Sequence, residues 1–285
     1  MGPGRRRTAS GGGVMVVLAP TPGRPLSRPR PRVIPTLLID AEGRLVKTVK
    51  FGKRTYIGDP INAVKIFNNK EVDELVLLDI DASRKGYEPK FDHIADIVGE
   101  AFMPVAYGGG LRTMAQIERA YTAGIEKVIL SSSLLDGADL IRQASARWGA
   151  QAVTVCLPVG APLWGKPGVR LVGGAKSLQG RVEEIARSVA GHGAGEIIVY
   201  SIGRDGTFEG YDHDLLSRVA ASVELPVVAA GGACDVADLA RAVNQSNCAA
   251  VAAGSLFVYR AKGQGVLINY PTRGQLDDGF GSTTT

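Results

Sequence analysis

Two short stretches carry the residue types from which chemistry could be built. The run "VAYGGG" ends an apolar segment in Gly108, Gly109 and Gly110, and "VVAAGG" does nearly the same at Gly231 and Gly232. Consecutive glycines weaken a helix or strand by about 0.5–1 kcal/mol each relative to alanine, so bare backbone is required at both places. Exposed amides just ahead of a helix suit an anion, because N–H groups and the helix dipole both favour phosphate. Hydroxyls accompany each pair: Ser132 and Ser133 in "SSS", and Ser255 beside Gly254 in "GS". One half of the chain thus offers Gly109, Gly110, Ser132 and Ser133; the other offers Gly231, Gly232, Gly254 and Ser255. That pattern predicts a ligand with two phosphates, held at both ends. The plainer alternative is that the glycines only permit tight strand-to-helix turns.

The elements that would position these residues follow from periodicity. Apolar runs at 33–39, 74–80, 103–107, 126–130, 152–157, 196–200, 225–230 and 248–253 read as buried strands. Amphipathic segments such as "DPINAVKIFNN", "FDHIADIVGEA", "MAQIERAYTAG" and "DVADLARAVNQ" fit between them, several opening on a capping residue and several closing on glycine. Eight strands each followed by a helix predict a (β/α)8 barrel, whose chemistry sits at the C-terminal ends of the strands. A repeat supports this: Glu74 and Glu196, Gly109 and Gly231, and Ser133 and Ser255 are each 122 positions apart. The spacing implies two duplicated half-barrels.

Composition sets the limits. The net charge of +5 belongs to the first 32 residues, which hold seven arginines and no acid. The remainder has 26 basic against 28 acidic side chains, so no nucleic-acid-binding fold is implied. Residues 1–32 read as a disordered basic leader, 33–271 as the barrel and 272–285 as a flexible tail. The apolar run at 14–19 is too short for a signal-peptide core or a membrane span. Cys156, Cys234 and Cys248 lack metal-ligand spacing and read as reduced thiols of a cytoplasmic protein. No phosphate-binding P-loop, dinucleotide fingerprint or zinc pattern occurs, so neither cofactor nor metal is expected. A thiol at an expected helix start such as Cys234 can have a lowered pKa, but with no histidine placed to suggest a dyad Cys234 reads as an incidental small residue. His93, His192 and His213 fall on helices and are expected at the surface.

The segments "RVIPTLL", "VKTVKF", "GDP", "DELVLLDIDAS", "YGGG", "GAGEIIVYSIGRDGT", "GYD" and "GGA" resemble the cyclase subunit of imidazole glycerol phosphate synthase, across residues 32–260. The resemblance implies a lyase-type barrel whose glutaminase partner makes ammonia, which passes through the barrel to a bis-phosphorylated ribonucleotide. "FGKRTYIGDPINAVKIFNN" and "AAGSLFVYRAKGQGVLINYP" look closer to paralogues that accompany sugar amidotransferases. It further implies an ammonia gate at Arg32, Glu74, Lys127 and Glu196, for which a salt-bridged plug is the alternative. Lys47 matches the family's mobile active-site lysine and Asp205 another of its active-site acids, and both could equally be solvated loop charges. The family's two proton-transferring aspartates, however, match Leu38 and Pro158, neither of which can carry a proton. Asp40 reaches the site only if its strand slips or bulges. Gly203 also stands where the family has aspartate, and Ser131–Ser133 replace an asparagine-threonine pair. Two classes of function follow: a cyclase-like enzyme with altered chemistry, or a non-catalytic scaffold and ammonia conduit in an amidotransferase complex.

Overall fold

The computed structural model describes residues 30–161, 167–260 and 263–281. The leader up to residue 29 lies outside these. Among the described residues, twelve strands occur in chain order. They are β1 (Arg32–Ile39), β2 (Leu45–Thr48), β3 (Arg54–Gly58), β4 (Leu75–Asp79), β5 (Val105–Gly108), β6 (Lys127–Leu130), β7 (Val153–Gly160), β8 (Gly168–Leu171), β9 (Lys176–Ser177), β10 (Glu196–Ser201), β11 (Val227–Ala230) and β12 (Ala250–Ala253). Parallel pairing runs β1-β4-β5-β6-β7-β10-β11-β12 and returns to β1, where Arg32 aligns with Ala250. The result is a closed (β/α)8 barrel.

Closure explains why the strands are apolar throughout. Along β7, Val153, Val155 and Leu157 face outward to the helices, while Cys156 faces the barrel interior with Ile34, Val76, Ala106, Ile129 and Ile198. Both faces of each strand are therefore withdrawn from water, which a parallel sheet requires.

The helices are α1 (Pro60–Asn68), α2 (Ala82–Lys85), α3 (Phe91–Gly99), α4 (Met114–Thr122), α5 (Asp139–Trp148), α6 (Val182–Gly191), α7 (His213–Ala220), α8 (Val236–Asn244), α9 (Ser255–Val258) and α10 (Arg273–Gly281). Their starts are written locally. Asp59, Asp212 and Asp235 each accept a first-turn amide, and Thr113 with Gln116 closes a capping box at α4. Each such cap contributes about 1 kcal/mol.

Two hairpins sit outside the barrel pattern. β2 pairs antiparallel with β1 and with β3, and β8 pairs antiparallel with β7 and β9. Both extend from the C-terminal ends of barrel strands, so they stand over the mouth.

The expectation of a loose tail after residue 271 is corrected for 273–281, which form α10 against α8. Leu276 is fully buried and Tyr270 donates to the Val33 carbonyl at 2.9 Å. Leu276 and partly buried Phe280 dock the helix on the core, and the composition of this largely polar segment does not register it. Leu276→Ala should cost about 2–5 kcal/mol in urea unfolding. An unchanged unfolding midpoint would mean that α10 adds nothing to the barrel.

Candidate functional site

At the mouth, the glycine pairs meet a steric demand that repeats across the two halves. Gly109 has φ +125°, and a Cβ there would come within 2.4 Å of the Asp79 carbonyl oxygen. Gly231 has φ +83°, and its Cβ would come within 2.5 Å of the Ser201 carbonyl oxygen. Asp79 and Ser201 are themselves separated by the same 122 positions. Gly110 and Gly232 press in the same way on the Cβ atoms of Ala82 and Arg204, each at 2.8 Å. Tight turning is thus a real requirement at both pairs, and a cavity opens beside each.

The first cavity, of about 120 Å³, is bordered by Gly109, Gly110, Ser131, Ser132 and Arg84. Its depth is apolar: Leu38, Leu78, Ile129, Cys156 and Pro158. The second, of about 20 Å³, is lined by Gly231, Gly232, Gly254, Ser255 and Asp205. Ser133 is buried and lines neither, and Ser132 Oγ accepts the Val172 amide at 3.3 Å, tying it to the β8–β9 hairpin. Tyr200 lines both cavities and forms the wall between them. Phe51, at the tip of the β2–β3 hairpin, packs edge-on against it with ring centroids 5.2 Å apart.

Lys47 and Asp205 are not solvated loop charges. Lys47 is 3% exposed, and its Nζ donates to the Thr36 carbonyl beneath Gly254, where an added Cβ would strike it. Burial pulls its pKa down to about 8, against a smaller opposing pull from Asp205. Asp205 accepts from the Tyr200 hydroxyl at 2.9 Å and the Thr48 hydroxyl at 2.7 Å, and its carbonyl accepts the Lys50 amide. It therefore latches the hairpin over the mouth as well as lining the second cavity.

Asp40 does not reach the site. It accepts Arg44 Nε at 3.0 Å and NH2 at 2.8 Å, plus the amides of Glu42 and Arg44, so it closes the turn between β1 and β2. Leu38 and Pro158 do line the first cavity. The acid that lines it is Asp79, at the end of β4. Desolvation raises its carboxyl pKa, although the amides of Asp81 and Ala82 and the Tyr87 hydroxyl all donate to it. An acid at the C-terminal end of a barrel strand was the signal in "LLDIDAS".

At the opposite end of the barrel the structure brings Arg32, Glu74, Lys127 and Glu196 together. Arg32 reaches both Glu74 and Glu196. Lys127 Nζ lies 2.9 Å from Glu74 Oε2 and 3.6 Å from Glu196 Oε2. Two cations and two anions alternate in a closed, half-buried ring. Burial works against the Arg32 charge, yet Glu196 and Glu74 outweigh it and raise its pKa.

One expectation away from the mouth needs correction. His213 is not simply a surface residue: its ring lies between Asp238 Oδ1 at 2.8 Å and Ser246 Oγ at 3.1 Å. The Cys234 thiol is pushed up to about 11 rather than lowered, by burial and then by Asp238 and Asp235. All three cysteines are free. Among the described residues, no helix is long and apolar enough to cross a membrane, and no cluster of ligating side chains could hold a metal.

The chain matches the histidine biosynthesis protein family over residues 32–263. It is 45% identical over 250 residues to a Pseudomonas aeruginosa protein that carries the provisional name imidazole glycerol phosphate synthase subunit hisF2. That alignment covers 88% of this chain and 99% of the relative. The chain belongs to the imidazole glycerol phosphate synthase HisF family. A Vibrio vulnificus relative, provisionally named subunit hisF3, is 47% identical over 244 residues, covering 85% of this chain and 94% of its own. The imidazole glycerol phosphate synthase subunit HisF of Alkaliphilus metalliredigens is 36% identical over 228 residues, 80% of this chain and 90% of its own. In this HisF-family chain the match begins at Arg32, one corner of the charged ring, and stops before α10.

Lys47 gives this site a pH signature. Below about pH 8 it is charged in both folded and unfolded chains, and its desolvation cost is carried in full. Between about 8 and its ordinary value of 10.5, the unfolded chain holds a proton that the folded chain has lost, so stability climbs with pH. Melting temperatures across that window should show the climb in the wild type and lose it in Lys47→Met. A climb of equal size in the variant would assign it to other groups.

Proposed function

We propose that this chain is the barrel subunit of a glutamine-dependent assembly. A glutaminase partner docks on the charged-ring face, and its ammonia passes through the ring and up the barrel to the mouth. Several features favour the passage over a simple plug. Arg32, Glu74, Lys127 and Glu196 satisfy one another around the barrel axis, which leaves the ring polar without an unpaired charge. Breaking any corner strands a buried charge at a cost of about 3–5 kcal/mol, so an isolated plug would be more safely built from apolar residues.

The mouth cavities suit a phosphorylated small molecule, with side-chain-free backbone at Gly109/Gly110 and Gly231/Gly232, where the Gly110 amide already donates to Ser83 Oγ at 3.3 Å. The observation that carries the functional reading is what lies between them. The two positions that match the family's proton-transferring aspartates are Leu38 and Pro158, both facing the first cavity. Positioned proton transfer typically contributes about 10²–10⁴-fold. Without it, ring closure of the histidine-pathway kind is lost, and the ammonia goes to another acceptor, as in the paralogues associated with sugar amidation. The free, high-pKa thiols suit a reducing cytoplasm.

A second reading keeps an enzyme. Asp79 lines the first cavity with a pKa raised by desolvation, the property expected of a general acid. In that case Asp79 replaces the missing pair and the barrel catalyses a different ammonia-dependent step.

The test mixes the purified chain with a co-encoded glutaminase and follows glutamine hydrolysis, then supplies ammonium and the bis-phosphorylated ribonucleotide. Hydrolysis should rise on mixing, and imidazole formation should stay about 10²–10⁴-fold below that of an aspartate-bearing family member. No stimulation of the glutaminase would sink the partnership. Robust imidazole formation that disappears in Asp79→Asn would establish the second reading instead.

A further inference from the structure

Inside the barrel, one polar atom is unaccounted for. Thr154 is 1% exposed, and its Oγ1 is, among the described residues, a buried side-chain oxygen without a hydrogen-bond partner. A buried hydroxyl left in this state is costly, and native proteins resolve such cases with a partner or an ordered guest. The location is informative. Thr154 occupies β7 in the inward set that continues through Cys156 to Pro158, since Val153, Val155 and Leu157 belong to the outward core. In the ladder it sits level with Ile129 on β6 and with Glu196 on β10. Glu196 is a corner of the charged ring; Cys156 and Pro158 line the first mouth cavity. The hydroxyl therefore stands level with the Glu196 corner of the ring and two residues above the Lys127 corner, at the foot of a column that ends in that cavity.

We infer that Thr154 Oγ1 and the carboxylate of Glu196 hold a single small, neutral, hydrogen-bonding guest of the water and ammonia class. Neighbouring strands lie about 4.8 Å apart, so in-register side chains on adjacent strands that do not touch directly can share one such molecule. The guest donates to the carboxylate and exchanges a hydrogen bond with the hydroxyl. An anion is excluded by Glu196, and a larger solute by the surrounding Ile129, Cys156 and Ile198 side chains. For the proposed conduit, on which the ammonia assignment rests, this site is the first stop above the Lys127 corner of the ring. It also directs the passage toward the Gly109/Gly110 cavity rather than the Gly231/Gly232 one.

The experiment uses the full chain alone and so is independent of any glutaminase. A high-resolution crystal structure should show a solvent peak within hydrogen-bond distance of Thr154 Oγ1, and the peak should vanish in Thr154→Val. Thr154→Val should leave the melting temperature level or lower it, because the guest's anchor goes with the hydroxyl; Thr154→Ser should retain both peak and stability. If the hydroxyl is instead dry, Thr154→Val relieves an unsatisfied group and raises the melting temperature by about 2–4 °C or more. That rise, with no peak, overturns the inference. Two salts distinguish the occupants. Ammonium chloride that stabilises the wild type more than potassium chloride near the ammonium pKa, but not Thr154→Val, identifies ammonia. Equal effects with the peak retained identify water.

Discussion

Closure of eight parallel strands forces every second side chain into one shared interior, and the charged ring and the lining of the first cavity both lie along it. The floor, the middle and the mouth are successive residues of the same columns. On β10 the column runs Glu196, Ile198, Tyr200; on β7 it runs Thr154, Cys156, Pro158. A one-residue slip in any strand would turn its ring charge or cavity residue into the helix layer and bring a valine or leucine inward. Register is therefore the quantity on which ring and mouth alike depend. The apolar middle layer enforces it, because misaligned strands would bury the charges of the ring between helices.

Much of the architecture was legible because burial on two faces and helical amphipathicity leave plain periodic marks. The eight barrel strands and the seven longer helices between them fall where the patterns put them, and the 122-residue offset extends to contacts nobody could see in the letters, such as Gly109 on Asp79 and Gly231 on Ser201. What escaped was structure that depends on a partner rather than on a period. The β2–β3 and β8–β9 hairpins are strands only because β1 and β7 run on past the barrel to pair with them. Helix α10 rests on Leu276 and the partly buried Phe280.

The site divides in the same way. The four ring charges are 42 and 164 positions apart along the Arg32 contacts, so no local pattern groups them; family resemblance and the shared strand starts did. Lys47 looks like a loop cation in sequence, because nothing there shows it folded under Gly254. Asp40 follows "IPTLLI" closely but is consumed by Arg44 and its own turn, and the acid that does line the first cavity is Asp79. Side-chain capture of this kind is decided by geometry two to four residues away and leaves no compositional trace.

The wall made by Tyr200 and Phe51 has a consequence for what the mouth can admit. The two half-barrels carry matching glycine turns, yet the spaces beside them are about 120 and about 20 Å³. Symmetry of backbone has become asymmetry of room. The mouth offers a roomy, apolar berth on one side and a niche on the other. The pseudo-twofold repeat survives in the glycine turns and in the Glu74 and Glu196 corners of the ring, while the room at the mouth has a head and a foot.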